Sequence, residues 1–516
     1  MKVEQYFLCG DALAYSGAVN QIMVLFEVLP ATCPLGSDVN PDQPGGFLPE
    51  NAVLIRNRIL PEKDAQIALL TEGFFRCAAH KPGRVVRQAT AAIVPGEHDR
   101  EMKRLLMHNV LYIMRKITGT DPGPWGILRG VRPTKIVHRL LDKGLSKQQI
   151  TEKMTADYAV NAAKAELVTK IALYQRPFLL PAEGKACVSI YIGIPYCPSR
   201  CLYCSFPAYV RPENPRELLV FLNALEQDID TVIKLIERYG LQVETVYIGG
   251  GTPTSLPPAS FARVLDRVSR LITAETKEFT VEAGRPDSID DGHIEALCRY
   301  GVTRVSVNPQ TMQQKTLNRI GRRHTVEDII KVFGKFRKAG IPVINMDVIA
   351  GLPGEDEQDM EDTMQKISQL GPENLTVHTL ALKKGSLLKA NLAEYDLPDE
   401  KTTARMLSIA DGYASTLGMN PYYMYRQKYM TGNLENIGYC QQGTECLYNI
   451  QMMEERQTVI GIGPAAATKA VDRSTWRLES RYNAKDVLTY INRLPSYLNE
   501  RSKLLTRLFA HREEET

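Results

Sequence analysis

From Val188 to Leu380, short apolar runs rich in β-branched residues alternate with amphipathic helical patterns on a regular beat. The candidate strands are Val188 to Ile194, Val243 to Gly249, Glu278 to Glu282, Arg304 to Asn308, Val343 to Ile349 and Asn374 to Leu380. Helical periodicity fills the gaps at Arg216 to Tyr239, Pro258 to Ile272, Ile289 to Tyr300, Val326 to Ala339 and Asp359 to Leu370. Few folds accept such a chain. Successive strand-helix-strand units cross over right-handed onto a parallel sheet covered by helices, so an α/β class follows. Six units predict a partial, splayed (β/α)6 barrel, whose chemistry should collect where the strands end.

The unusual residues fall at those ends. The first strand leads into Cys197-Pro-Ser-Arg-Cys201-Leu-Tyr-Cys204, three thiols separated by three and then two residues. Three thiolates so spaced can hold three irons of a [4Fe-4S] cube and leave the fourth open to a small ligand. A zinc site short of its fourth ligand is the competing reading of the same spacing. The second strand ends in Gly249-Gly-Gly-Thr252-Pro-Thr254, where glycines let main chain approach a ligand. Glu282, Gln310 and Asp347 are polar residues on or just beyond the next three strands. Asn318-Arg-Ile-Gly-Arg322-Arg-His324 adds a cationic cluster, and arginine's planar fork suits a carboxylate. Lys383-Lys384 brings further positive charge after the sixth strand.

The flanks read as α+β additions: an extra N-terminal domain over residues 1–180 and a C-terminal domain over 391–516, around a core at 181–390. Strands are expected at Val3 to Leu8 and Gln21 to Val28, a turn-rich stretch from Gly36 to Gly46, and helices at Glu101 to Thr118 and Lys135 to Leu179. Between those helices, Asp121 to Thr134 is a Gly/Pro-dense loop with Trp125, Arg129 and Arg132, either a packed connector or an anion-docking loop. After a helix at Glu400 to Leu417, the aromatic and basic run Pro421 to Tyr429 would suit a flat anionic ligand or single-stranded RNA through Arg426 and Lys428. Cys440 and Cys446 could serve a second cluster only with help from Cys9 or Cys33. Cys9, Cys33, Cys77, Cys187 and Cys298 otherwise read as small buried hydrophobes.

Charge excludes little but points away from one partner. Lys plus Arg number 63 against 59 acidic residues, a net charge of +4, so no general nucleic-acid footprint exists and such a partner is not expected. No run of 18 apolar residues and no cleavable apolar leader appear, so no membrane span is expected. Cysteine usage of this kind fits a reducing cytoplasm.

Together these residues resemble the radical S-adenosylmethionine (SAM) superfamily, and within it the oxygen-independent coproporphyrinogen III oxidase group, closest to its HemZ-type members with an extra N-terminal domain. The likeness covers roughly Val188 to Ala470. The C-x3-C-x2-C loop carries the superfamily; GGGTPT, NPQT, the Arg322 region, INMDVIAGLPG and NLENIGY carry the group. By that resemblance Cys197, Cys201 and Cys204 hold a [4Fe-4S] cluster whose open iron binds SAM. Tyr191 would lie against SAM, Gly250, Gly251 and Thr252 would form the turn at its methionine end, and Glu282 and Arg322 would be polar partners there. Gln310 and Asp347 would contact the ribose side. The implied activity is radical oxidative decarboxylation of coproporphyrinogen III to protoporphyrinogen IX, a step of haem biosynthesis that needs an electron donor this sequence does not identify. Phe206 stands where the oxidases carry a further cysteine, and the haem-chaperone branch shares that Cys-x-Phe form. That branch's His-Asn-x-x-Tyr-Trp motif is absent, the region reading Asn433-Leu-Glu-Asn-Ile-Gly-Tyr439. The alternative reading is therefore a haem- or porphyrin-binding chaperone that retains cluster and SAM.

Overall fold

A computed structural model describes residues 2–31, 48–63, 66–77, 80–92, 96–130, 132–179, 186–206 and 208–510. The turn-rich stretch Gly36 to Gly46, Cys33 and the boundary near Pro181 lie outside them. The chain forms two compact units: Met1–Lys170 with Arg426–Lys428 and Gly432–Leu434, and Ile171–Tyr425 with Tyr429–Thr431 and Glu435–Thr516.

The first unit is built on a five-stranded sheet in the order Leu29–Pro30, Gln5–Gly10, Ala52–Lys63, Gln66–Cys77, His80–Ala92. Helix His98–Thr118 packs on it, and Asn109 Nδ2 donates to Thr71 Oγ1 at 3.0 Å on strand Gln66–Cys77. The strand expected at Gln21 to Val28 is instead helix Ser16–Met23 running into a 3-10 turn at Val24–Phe26. Ala18, Val19, Ile22 and Met23 are its buried residues, a one-face helical spacing that outweighs the local β-branched content. Helices Pro133–Asp142, Lys147–Tyr158 and Ala162–Leu179 follow, where one long helical pattern was expected.

The second unit holds an eleven-stranded sheet. Its centre is six strands paired parallel in chain order: Cys187–Ile194, Gln242–Gly250, Glu278–Glu282, Arg304–Ser306, Val343–Ala350 and Asn374–Thr379. Helices Pro215–Arg238, Pro258–Ser269, Asp291–Arg299, Val326–Lys338 and Glu357–Leu370 connect them. This is the expected six-unit β/α core. Several helix starts are fixed by side-chain caps that satisfy otherwise orphaned N-H groups, at Asn214, Asp290, Thr325 and Asp356.

Residues beyond 390 extend this sheet. Strand Asn436–Cys440 adds antiparallel to the sixth core strand and Asn420–Tyr425 adds antiparallel to Asn436–Cys440 in turn, while Thr458–Ile462 adds parallel to the first core strand, followed by Ala467–Asp472 and Arg477–Tyr482. The aromatic strand is not an open ligand face. Tyr422 and Tyr423 are buried, and the Arg426 guanidinium donates to the carbonyls of Leu128, Asn433 and Leu434 while lying 4.8 Å from the Trp125 ring centroid. The last helix, Leu494–Phe509, is pinned to helix Pro215–Arg238 by Arg501 Nη1 and Asp228 Oδ1 at 2.6 Å, both inside the core. No described helix is long and apolar enough to cross a membrane.

Candidate active site

Successive residues of a strand face opposite sides of a sheet. On the six core strands one set is uniformly apolar and buried, as in Ile190, Ile192, Val246, Ile248, Phe279, Val281, Val305, Ile344, Met346, Leu375 and Val377, and supports the helices. The alternate set is polar: Ser189 and Tyr191, Thr245 and Tyr247, Glu278, Thr280 and Glu282, Arg304 and Ser306, Asn345 and Asp347, Asn374, Thr376 and His378. An ordinary β/α barrel fills those positions with layers of Val, Ile and Leu. Here they form hydrogen-bonded chains, including Thr245 to Ser189 (2.8 Å), Thr376 to Asn345 (3.1 Å) and Asn345 to Asp347 (2.7 Å).

At the lower end, where the strands begin, the chains are closed by protein. Arg304 Nη2 donates to the carbonyls of Thr444 and Glu445, and Cys446 Sγ lies 3.3 Å from Glu278 Oε1. Cys440 sits 3.8 Å from the Tyr174 hydroxyl, so both late cysteines are engaged by protein groups. Of the other lone cysteines, Cys187 is buried as expected, Cys9 and Cys77 are half-buried, and Cys298 is exposed.

The upper end carries the residues singled out in the sequence. Gly251 N donates to Ile194 O and Thr252 N to Tyr196 O, each at 2.7 Å, which clamps the glycine turn to the chain entering the cysteine loop. A Cβ on Gly251 would stand 2.4 Å from Tyr196 O, and Gly250 has φ +107°, so both positions demand glycine. Cys197 Sγ lies 3.4 Å from Thr252 Oγ1. Leu202 N donates to Ile320 O, and Arg322 Nη2 to the Tyr203 hydroxyl at 3.2 Å, tying the same loop to the cationic cluster. Burial pushes the free Cys197 thiol up to about 11 and raises Cys204 as well.

Tyr191, Tyr247 and Tyr448 form an aromatic wall, with 4.4 Å between the Tyr247 and Tyr448 centroids and 6.2 Å between Tyr191 and Tyr247. The Tyr247 hydroxyl donates to Glu282 Oε1 at 2.7 Å. Burial pushes the Glu282 carboxyl up to about 7, with Asp347 adding to the rise. Asp347 itself is held low: burial opposes its charge, but hydrogen bonds from His378, Asn345 and Thr376 outweigh that. His378 Nδ1 in turn meets the Tyr425 hydroxyl at 3.0 Å. Gln310 has φ +69°, a strained value for a side-chain-bearing residue, and is fixed by Gln310 N to Asp347 O and Ile349 N to Gln310 O, both 2.9 Å.

Which groups fit here follows from the donors. Among the described residues no three His, Cys, Asp or Glu side chains converge on one metal ion. A cube presents three separate irons to its cysteines, so convergence on one point is not what it requires. The cysteine loop, with Arg285 Nη1 at 3.7 Å from Cys201 Sγ, supplies soft ligands beside a cation and fits such a cluster. Gln310 Oε1, Asn308 Oδ1 and Arg322 Nε are buried without a hydrogen-bond partner. Such atoms are costly unless a ligand completes them, and with the glycine turn they fit a polar, amino-acid-bearing molecule such as SAM. Tyr247, Tyr448, Arg285 and Asp287 escaped the sequence reading; only Tyr247 had a visible signal, being two residues before Gly249 on one strand face. Phe206 is 62% exposed, with the Lys383 ammonium 5.4 Å from its ring centroid.

Comparison with known proteins agrees in kind. Residues 191–367 match the model of the Radical SAM superfamily. The oxygen-independent coproporphyrinogen-III oxidase-like protein HemZ of Bacillus subtilis is 37% identical over 433 residues, 82% of this chain and 86% of that one. The heme chaperone HemW of the same organism is 32% identical over 240 residues, 45% of this chain and 62% of the relative. Among solved structures, coproporphyrinogen III oxidase (HemN) from Escherichia coli aligns with a TM-score of 0.49 at 20% identity, over 63% of this chain and 72% of that one.

Proposed function

Because the chain belongs to the radical SAM superfamily, and within it to the family of the HemZ oxidase-like protein, we propose that it is a coproporphyrinogen III-oxidising enzyme of haem biosynthesis. The observation that carries this reading is the 37% identity to that relative across 86% of its length. In support, Gln310 Oε1, Asn308 Oδ1 and Arg322 Nε, buried and without a hydrogen-bond partner, lie at the strand ends where the cysteine loop sits.

In this reading Cys197, Cys201 and Cys204 hold the [4Fe-4S] cluster. Gly250, Gly251 and Thr252 present main chain to the methionine end of SAM, where Glu282 and Arg322 receive its charged groups. Tyr191 flanks it, while Gln310 and Asp347 take the ribose. When bound, cluster and SAM supply one-electron chemistry able to remove a hydrogen atom from an unactivated carbon. The protein's residues position the reacting carbon and keep water away from it. Each of two propionate groups on the tetrapyrrole would give a hydrogen atom to the SAM-derived fragment, lose CO2 and pass one electron to an electron acceptor, becoming a vinyl group.

A second reading has its own observation. Phe206 is exposed beside the cluster loop where a further cysteine would sit in an oxidase, and HemW shares 32% identity with 45% of this chain. That reading is a haem- or porphyrin-carrying protein that keeps the cluster. One anaerobic experiment separates them: reconstituted protein, SAM, a reductant and coproporphyrinogen III, followed by measurement of protoporphyrin and CO2. Formation of both is expected. Methionine and 5'-deoxyadenosine without porphyrin conversion would defeat the oxidase reading, and stoichiometric haem transfer to an acceptor would favour the carrier.

A further inference from the structure

Three residues beyond Glu282, in Ala283-Gly284-Arg285-Pro286-Asp287, a guanidinium is buried directly behind the cysteine loop. Arg285 is 3% exposed. Its Nη1 donates to Ser199 O at 3.1 Å and approaches Cys201 Sγ at 3.7 Å, while Nη2 donates to Ser199 Oγ at 3.0 Å. Nε and Nη2 also grip the two oxygens of Asp287, at 3.0 and 2.6 Å. His324 Nδ1 lies 3.4 Å from Asp287 Oδ1, its side chain sealed from solvent.

Burying a guanidinium of this kind costs free energy even with Asp287 beside it, and a neutral residue could brace a loop without that cost. What arginine adds is a fixed positive charge with an N-H directed at a cysteine sulfur. We propose that Arg285, held by Asp287, is a tuning residue of the iron–sulfur cluster, its charge and N-H···S contact raising the cluster's reduction potential. Adding an electron to the cluster places extra negative charge on its sulfurs, and a nearby cation in a low-dielectric setting favours that state. Asp287 partly offsets the cation, so the two members of the pair act in opposite directions. This inference rests on the cluster reading above.

The test is an EPR-monitored redox titration of the reconstituted full chain, poised with dithionite and mediators, alongside iron content. In Arg285→Met the ratio of reduced to oxidised cluster at a fixed potential should fall about tenfold, which for a one-electron couple is a midpoint about 59 mV lower. Asp287→Asn should move the midpoint upward. Arg285→Lys, which keeps the charge and loses the fork, should show a smaller downward shift and serves if the methionine variant does not assemble. Unchanged midpoints, shifts of the same sign at 285 and 287, or loss of iron from both position-285 variants would overturn the assignment. Wild-type protein that assembles no four-iron cluster would defeat the cluster reading instead.

Discussion

The Tyr247 hydroxyl donates to Glu282 Oε1 at 2.7 Å, joining neighbouring strands at the end of the barrel where the glycine turn begins. Burial holds that carboxyl up at about 7. If Glu282 pairs with a ligand ammonium, only its ionised form serves. SAM affinity should then rise several-fold between pH 6 and about 7.5 and fall again above, as the ligand's α-amino group, ordinarily at about 7.7–8.0, loses its proton. Glu282→Gln should bind more weakly and without that rise, measured by equilibrium dialysis. Because the folded value lies above the ordinary 4.5, this group's contribution to stability is present below about 4.5 and lost as pH rises through about 7.

Cys201 is a buried member of the cysteine loop, and the loop is tied down by main chain, Leu202 N to Ile320 O and Cys204 N to Cys201 O. Cys201→Ala should therefore abolish the visible absorbance of the reconstituted cluster and leave the far-ultraviolet dichroism unchanged. A full-strength cluster spectrum in this variant would refute the ligand assignment.

A methyl group on Gly251 meets the Tyr196 carbonyl oxygen at 2.4 Å, one residue before Cys197. Overpacking against backbone costs about 1–3 kcal/mol. Gly251→Ala should lower the thermal midpoint and weaken SAM binding at least about tenfold, the equivalent of about 1.4 kcal/mol. Gly334, on helix Val326–Lys338, has open space at its Cβ position. Gly334→Ala should stabilise by roughly 0.5–1 kcal/mol through helix propensity and leave binding alone, which makes it the matched control.

Arg501 Nη1 and Asp228 Oδ1 are 2.6 Å apart, and Asp228 also accepts from the Tyr490 hydroxyl and Gly463 N. Removing one partner strands the other charge in the core. Arg501→Met should cost about 3–5 kcal/mol by the denaturant midpoint, and Arg501→Met with Asp228→Leu should recover part of that loss. A cost below about 1 kcal/mol for the single variant would show that the pair does not anchor the last helix.

Much of the core was legible because its signals are local. Strand Glu278–Glu282 begins and ends where the apolar alternation does, and the other core strands fall within a residue or two of expectation. The strand expected at Gln21 to Val28 failed because Ile22-Met-Val-Leu-Phe26 is a continuous apolar run that suits a strand or a buried helix alike, and only the packing of Val19, Ile22 and Met23 chose between them. The aromatic run after Asn420 failed for a related reason: alternation shows that two faces differ, but not which one is covered. Tyr422 and Tyr423 proved buried, and Arg426 is spent on carbonyl groups.

The sequence by itself determined the six β/α units, the cysteine loop and the polar strand ends, since each depends on residues a few positions apart within one element or turn. Only the tertiary structure decided what stands beside them. Arg285 reaches Cys201 across 84 positions, Tyr448 stacks on Tyr247, and Asp347 acquires His378 from the next strand. Those partners are fixed by strand register and by the packing of segments distant in the chain. Spacing along one segment carries no information about either, so the chemical environment of each site residue is a property of the fold.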